Sequence, residues 1–124
     1  MNKQRRIRIL IHKADKALSD YVRRGWSRHG KCPLCNIRPV QCCFHIISRR
    51  RKILRWSDRN VIGSCKACNY QEQYYPDLSR SWYIDTFGVD AYLDLVGESR
   101  KNFIPSEEYL KKVIKTYTNL NEQF

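Results

Sequence analysis

Four of the six cysteines have a spacing that binds metal. Cys32-Pro33-Leu34-Cys35 and Cys65-Lys66-Ala67-Cys68 are two C-x2-C pairs. In each, a tight turn brings two thiolates to one side of an ion, and two such pairs supply the four sulfurs of a closed tetrahedral Zn²⁺ site. Pro33 and Asn36 give the first pair its turn chemistry, and Asn69 leads the chain out of the second into a short helix. A structural Zn²⁺ is therefore expected on Cys32, Cys35, Cys65 and Cys68, against the alternative of unrelated buried thiols or a redox pair. Disulfides are not expected, because no secretory signal accompanies the cysteines. Cys42 and Cys43 are adjacent, so on an extended segment they point to opposite faces and cannot join the site as a pair. They read as small buried hydrophobes, with replacement of one knuckle sulfur by either as the alternative.

The elements follow from that constraint. Residues 36–64, 29 of them, lie between the two pairs. Both pairs must meet at one metal, so this insert has to leave and return, which an antiparallel hairpin does. Strand formers run over 40–47 and return over 60–64, with a basic excursion over 48–58 between them. A helix is predicted over 66–74, ended by Pro76. Upstream, Ile7, Leu10, Ile11, Ala14, Ala17, Leu18, Tyr21 and Val22 recur at three and four residues, predicting an amphipathic helix over 5–24 stopped by Gly25. Downstream, helices are predicted over 78–87 and 89–96, with Gly88 and Gly97 as terminators, and a last one starts at Ser106 as N-cap. The fold class is α+β, one domain over 1–124: a basic N-terminal helix in 1–25, a zinc-braced core in 32–76 and a helical part in 77–124.

Size and composition agree: 124 residues, 42% hydrophobic and 29% charged, suit one globular domain. No window has the run of about 18 apolar residues that a membrane span needs, so a cytoplasmic chain is expected. Charge is divided unevenly. Of the net +12, residues 1–60 carry +14 and residues 61–124 carry −2. A one-sided positive field draws polyanions, and DNA is the expected partner. An anionic membrane surface would require an amphipathic helix with its apolar face outward, whereas the apolar face of the first helix is needed for a core.

Within the hairpin, three polar residues stand out: His45 on the first strand, Asn60 entering the second, and Asn69 directly after the last cysteine. The pattern Cys32-x2-Cys35, Phe44-His45-Ile46-Ile47-Ser48-Arg49, Leu54-Arg55-Trp56-x3-Asn60, Cys65-x2-Cys68-Asn69 resembles the His-Asn-His (HNH) endonucleases of the ββα-metal group. It is similar in particular to phage NinG/Rap-type recombination proteins, and its cysteine pairs with the following Asn resemble the endonuclease VII type of junction resolvase. The resemblance extends from about Ile7 to the C-terminus. It implies that His45 is a general base, that Asn60 braces the loop, and that Asn69 ligates a catalytic Mg²⁺ or Mn²⁺ distinct from the zinc. A neutral imidazole suits the removal of a proton from water near neutral pH, and a divalent ion stabilises the leaving oxygen. A phage-encoded protein acting on branched or structured DNA is implied, with a homodimer expected of an enzyme cutting two strands symmetrically.

Phe44 departs from the commonest HNH pattern, in which an Asp or His ligand precedes the base; Gln41, Cys42 and Asp58 remain as further ligand candidates. Arg49, Arg50, Arg51, Lys52 and Arg55 follow His45 closely and are expected to bind DNA phosphates, one of them clamping the scissile group. The bland reading is a generic basic loop. Trp56 reads as a core anchor, with base stacking as the alternative, and His12 and His29 as surface residues. Two rival functions stay open: a zinc-ribbon DNA-binding or regulatory module without chemistry, and an HNH nicking, packaging or homing nuclease acting on linear duplex. In either case binding by the N-terminal half is expected to weaken steeply with salt, at roughly −0.9 in log K per log salt for each neutralised duplex phosphate. A titration across salt concentrations checks this, and a flat dependence contradicts it.

Overall fold

A computed structural model describes residues 1–28 and 30–124; His29 lies outside the described residues. The elements are α1 (Lys3–Ser27), β1 (Cys42–His45), α2 (Lys52–Arg55), a 3₁₀ turn at Asp58–Asn60, β2 (Val61–Ser64), α3 (Lys66–Gln71), α4 (Asp77–Phe87), α5 (Val89–Ser99) and α6 (Glu107–Asn121). This is a small α+β domain in which helices surround one two-stranded antiparallel hairpin. No helix among the described residues is long and apolar enough to cross a membrane.

Helix α1 starts where Asn2 caps it, its side-chain oxygen accepting from the Arg5 N–H at 2.8 Å. It does not stop at Gly25, as the sequence suggested. The glycine sits inside the last turns and the helix continues to Ser27, because Trp26 has a packing partner in Trp82, ring centroids 6.1 Å apart. That contact outweighs the cost of about 1 kcal/mol for a glycine in a helix interior. Gly97 is likewise internal to α5 rather than its terminator. Gly88 does separate two helices, at φ 97°, where a side chain would be strained. Ser106 caps α6 by accepting from the Tyr109 N–H at 3.0 Å.

The principal core lies between α1, α6 and the hairpin. Ala14, Ala17, Leu18 and Val22 of α1 pack with Leu110, Val113 and Tyr117 of α6 and with Trp56 and Val61. The two alanines let the helices approach closely, and polar ties fix the register. Tyr117 donates its hydroxyl to the Trp56 carbonyl at 2.7 Å, and Asn121 donates to the Ala17 carbonyl at 3.1 Å. Trp56 is thus a core anchor. A second cluster, Leu54 with Tyr83 and Leu95, joins the loop after β1 to α4 and α5.

The strands are shorter than the apolar run implied, four residues each, paired Cys42 to Ser64, Cys43 to Gly63, Phe44 to Ile62 and His45 to Val61. Helix α3 is also shorter, ending at Gln71. At the centre of the pairing Gly63 has no side chain for a steric reason: a Cβ there would lie 2.5 Å from Trp26 Cβ and 2.6 Å from Val40 Cγ1. Gly63→Ala is therefore expected to destabilise the fold by about 1–3 kcal/mol, measured as a lowered urea midpoint. An unchanged midpoint would contradict this packing.

Candidate functional site

The four sulfurs of Cys32, Cys35, Cys65 and Cys68 all lie within 4.8 Å of one another. Cys35 and Cys65 sulfurs are 3.9 Å apart, too far for a disulfide. A tetrahedron with Zn–S bonds of about 2.3 Å has edges of about 3.8 Å, so the donor set fits Zn²⁺. The first turn closes through the Asn36 N–H to the Cys32 carbonyl at 2.8 Å, with Asn36 at φ 58°. Backbone N–H groups of Arg38 and Ile37 lower the Cys35 thiol to about 6, which favours the thiolate a metal requires. Burial raises the Cys68 thiol. Cys42 and Cys43 are outside the cluster. Burial pushes the Cys43 thiol up to about 12, as for an inert packing residue.

At the other end of the hairpin, His45 is half-buried on the last residue of β1. Its Nε2 lies 2.8 Å from the Arg55 carbonyl oxygen. A carbonyl only accepts, so Nε2 carries the hydrogen and Nδ1 keeps the lone pair. Burial holds the ring's pKa below the usual 6.5, opposed by that hydrogen bond, and the nearby Arg49 lowers it further. The imidazole is accordingly neutral at pH 7 and able to take a proton.

The loop that carries this carbonyl is tied by Asn60, which is fully buried. Its Oδ1 accepts from the Ile47 N–H at 2.8 Å, while its Nδ2 donates to the Ile47 carbonyl at 2.9 Å and to the Leu54 carbonyl at 3.3 Å. One carboxamide thus joins the end of β1 to α2. No aliphatic side chain can replace it without leaving buried polar groups unpaired.

His45 and Asn69 line one cleft of about 790 Å³, whose walls include Asp15 of α1, Arg49, and Glu72 and Gln73 at the end of α3. Asn69 is exposed and donates its Nδ2 to the Cys42 sulfur at 3.6 Å. That leaves Oδ1, a hard oxygen ligand, without a donor among the described residues. Glu72, three positions on, was not singled out by the sequence. Its Oε1 accepts from the Ser79 hydroxyl at 2.5 Å, while Oε2 is buried with no hydrogen-bond partner. Burial raises the pKa of this carboxyl, and Ser79 partly counters that. Asn69 and Glu72 both line this cleft, and amide and carboxylate oxygens are ligand types that suit Mg²⁺ or Mn²⁺. Of the other ligand candidates, Gln41 accepts from the Lys66 N–H, Cys42 bonds Ser64 and Asn69, and Asp58 lines a different cleft with Tyr21 and Val22.

The basic residues divide. Arg50, Arg51 and Lys52 are exposed. Arg55 is only 14% exposed and grips Asp15 with two nitrogens, at 3.0 and 2.6 Å, so it is a structural strut rather than an open phosphate ligand. Arg49 bonds the same carboxylate at 2.9 Å from a more exposed position, and the Trp56 indole N–H donates to it at 2.9 Å. Asp15 was legible only as one charge on a helix face; its role needs the packing of α1 across the loop.

Comparison with family models, with curated proteins and with solved structures finds no match. The cysteine cluster gives a direct expectation: the purified protein carries one Zn²⁺ per chain by elemental analysis, and Cys65→Ser loses both the metal and cooperative unfolding. Stoichiometric zinc retained by Cys65→Ser would contradict the site.

Proposed function

We propose that the protein is a metal-dependent DNA endonuclease of the HNH type, its hairpin and α3 forming a ββα-metal site braced by a structural zinc. What supports this is that His45, its Nε2 hydrogen-bonded to a backbone carbonyl, lines the same cleft as Asn69 and Glu72.

In this reading His45 Nδ1 accepts the proton of the attacking water, and the Arg55 carbonyl holds the ring's orientation and tautomer. Asn69 Oδ1 and Glu72 Oε2 would hold Mg²⁺ or Mn²⁺. When bound, that ion supplies Lewis-acid stabilisation of the charge developing on the leaving oxygen. Asn60 keeps the loop and its carbonyl in place. Arg49 is the basic side chain lining the cleft and the one best placed to meet a phosphate, with Arg50, Arg51 and Lys52 binding backbone farther along. Asp15 limits how far Arg49 travels and fixes Arg55. Branched or structured DNA is the substrate class that the sequence resemblance favours, and a homodimer would allow paired cuts.

Incubating zinc-loaded protein with labelled linear and branched DNA and Mg²⁺ or Mn²⁺ tests the reading. Cleavage is expected, with a rate that rises with pH through a single step below 6.5 as His45 loses its proton, then levels off near neutrality. Glu72→Gln is expected to need roughly ten- to a hundredfold more metal for half-maximal rate while keeping its zinc. A rate that falls as pH rises through this range, or an unaltered metal requirement in Glu72→Gln, would count against these roles.

A further inference from the structure

Three tyrosines sit solvent-exposed where α3 ends. Tyr70, Tyr74 and Tyr75 are 60%, 62% and 67% exposed, a heavy concentration of aromatic surface for ten residues of a small protein. Tyr70 and Tyr74 are not independent: their ring centroids are 5.6 Å apart and their hydroxyls 3.3 Å apart. By chain position all three are interleaved with the wall of the His45 cleft. Tyr70 directly follows Asn69, and Tyr74 and Tyr75 fill the interval between Gln73 and Pro76, which both line the cleft.

We propose that Tyr70, Tyr74 and Tyr75 form a stacking platform for unpaired nucleotides at the rim of the His45 cleft, so that the preferred DNA has single-stranded or frayed bases next to the phosphate to be cut. The part about cutting rests on the nuclease reading; the platform itself is a binding surface. Charge identifies the occupant. Past the exposed Lys66, residues 67–76 contain no Lys or Arg, so this rim offers aromatic faces in place of cations, whereas Arg49 on the cleft wall and the exposed Arg50 and Arg51 carry the charge that meets phosphates. Phosphate binding on one side and bare aromatic faces on the other is the division of labour by which single strands are held. A continuous duplex keeps its bases stacked inside and offers such rings nothing, so the platform distinguishes unpaired from paired DNA.

The test compares affinities of the full zinc-loaded chain, without added Mg²⁺, for a fluorescent single strand and for a duplex of equal length. The variants are Tyr70→Ala/Tyr74→Ala/Tyr75→Ala and the corresponding triple Phe form, each checked for zinc content and melting temperature. The Ala form is expected to lose at least about tenfold in single-strand affinity, the scale of one stacked base. Its duplex affinity and salt dependence should stay as in the unaltered protein, and the Phe form should retain single-strand binding. Equal losses on both DNAs, no loss on the single strand, or a change in oligomeric state in place of a change in DNA affinity would overturn the platform. Cleavage by the unaltered protein of frayed and fully paired duplexes with Mg²⁺ keeps the two claims apart. If it cuts but the Ala form binds single strands normally, only the platform fails. If it cuts nothing while the Ala form loses single-strand binding, the nuclease reading fails and the platform stands.

Discussion

The convergence of four sulfurs is the constraint on which the other features of the core depend. Cys32 and Cys35 are separated from Cys65 and Cys68 by the hairpin and its loop, yet all four Sγ atoms fit inside a sphere that suits one Zn²⁺. A sheet of two four-residue strands is too small to persist alone in water. Tied at its open end through the four-cysteine cluster and packed against α1, it gains the support it lacks alone. Its last residue on β1 is His45, and the helix that the second cysteine pair opens carries Asn69 and Glu72. Zinc binding at the cluster would therefore be coupled to folding of the hairpin.

Asp15 performs a second, complementary fixation. One carboxylate receives Arg55, Arg49 and the Trp56 indole, joining the long N-terminal helix to the loop behind His45. Arg55 in turn presents the carbonyl that the imidazole grips, so the orientation of the ring is set through a chain of contacts from α1. The two acids are similarly exposed, but Arg55 is largely shielded from water and grips Asp15 with two nitrogens, unlike the exposed Lys16 on Asp20, so its pair is the less weakened by solvent. The apolar α1–α6 interface underneath keeps Asp15 at the right depth.

Much of this was visible in the sequence because it is carried by local chemistry. C-x2-C turns, a capped helix start at Ser106, the strand formers around Cys43 and Phe44, and the apolar stripe of α1 are short-range signals, and each appears in the fold. His45, Asn60 and Asn69 stand out in the sequence by their places on the expected hairpin and by the family resemblance; in the fold His45 and Asn69 line one cleft and Asn60 is buried in the loop. What escaped depends on contacts between distant segments. Gly25 and Gly97 signal stops in the sequence, yet both lie inside helices, with Trp26 packed on Trp82 beyond the first and a buried Ser99 beyond the second. Arg55 looked identical to its basic neighbours until Asp15, forty residues away, claimed it. Glu72 was one acid among nine in the C-terminal half, and only its place on the cleft wall and the burial of its Oε2 separate it from the rest.

We propose that His45 performs chemistry rather than merely completing the hairpin's hydrogen bonding. The most direct measurement is cleavage of DNA by His45→Ala beside the unaltered protein, with zinc content and DNA affinity measured on the same samples. The rate is expected to fall by about a hundredfold or more while zinc and affinity stay unchanged. Cleavage at an undiminished rate by the Ala variant would contradict it.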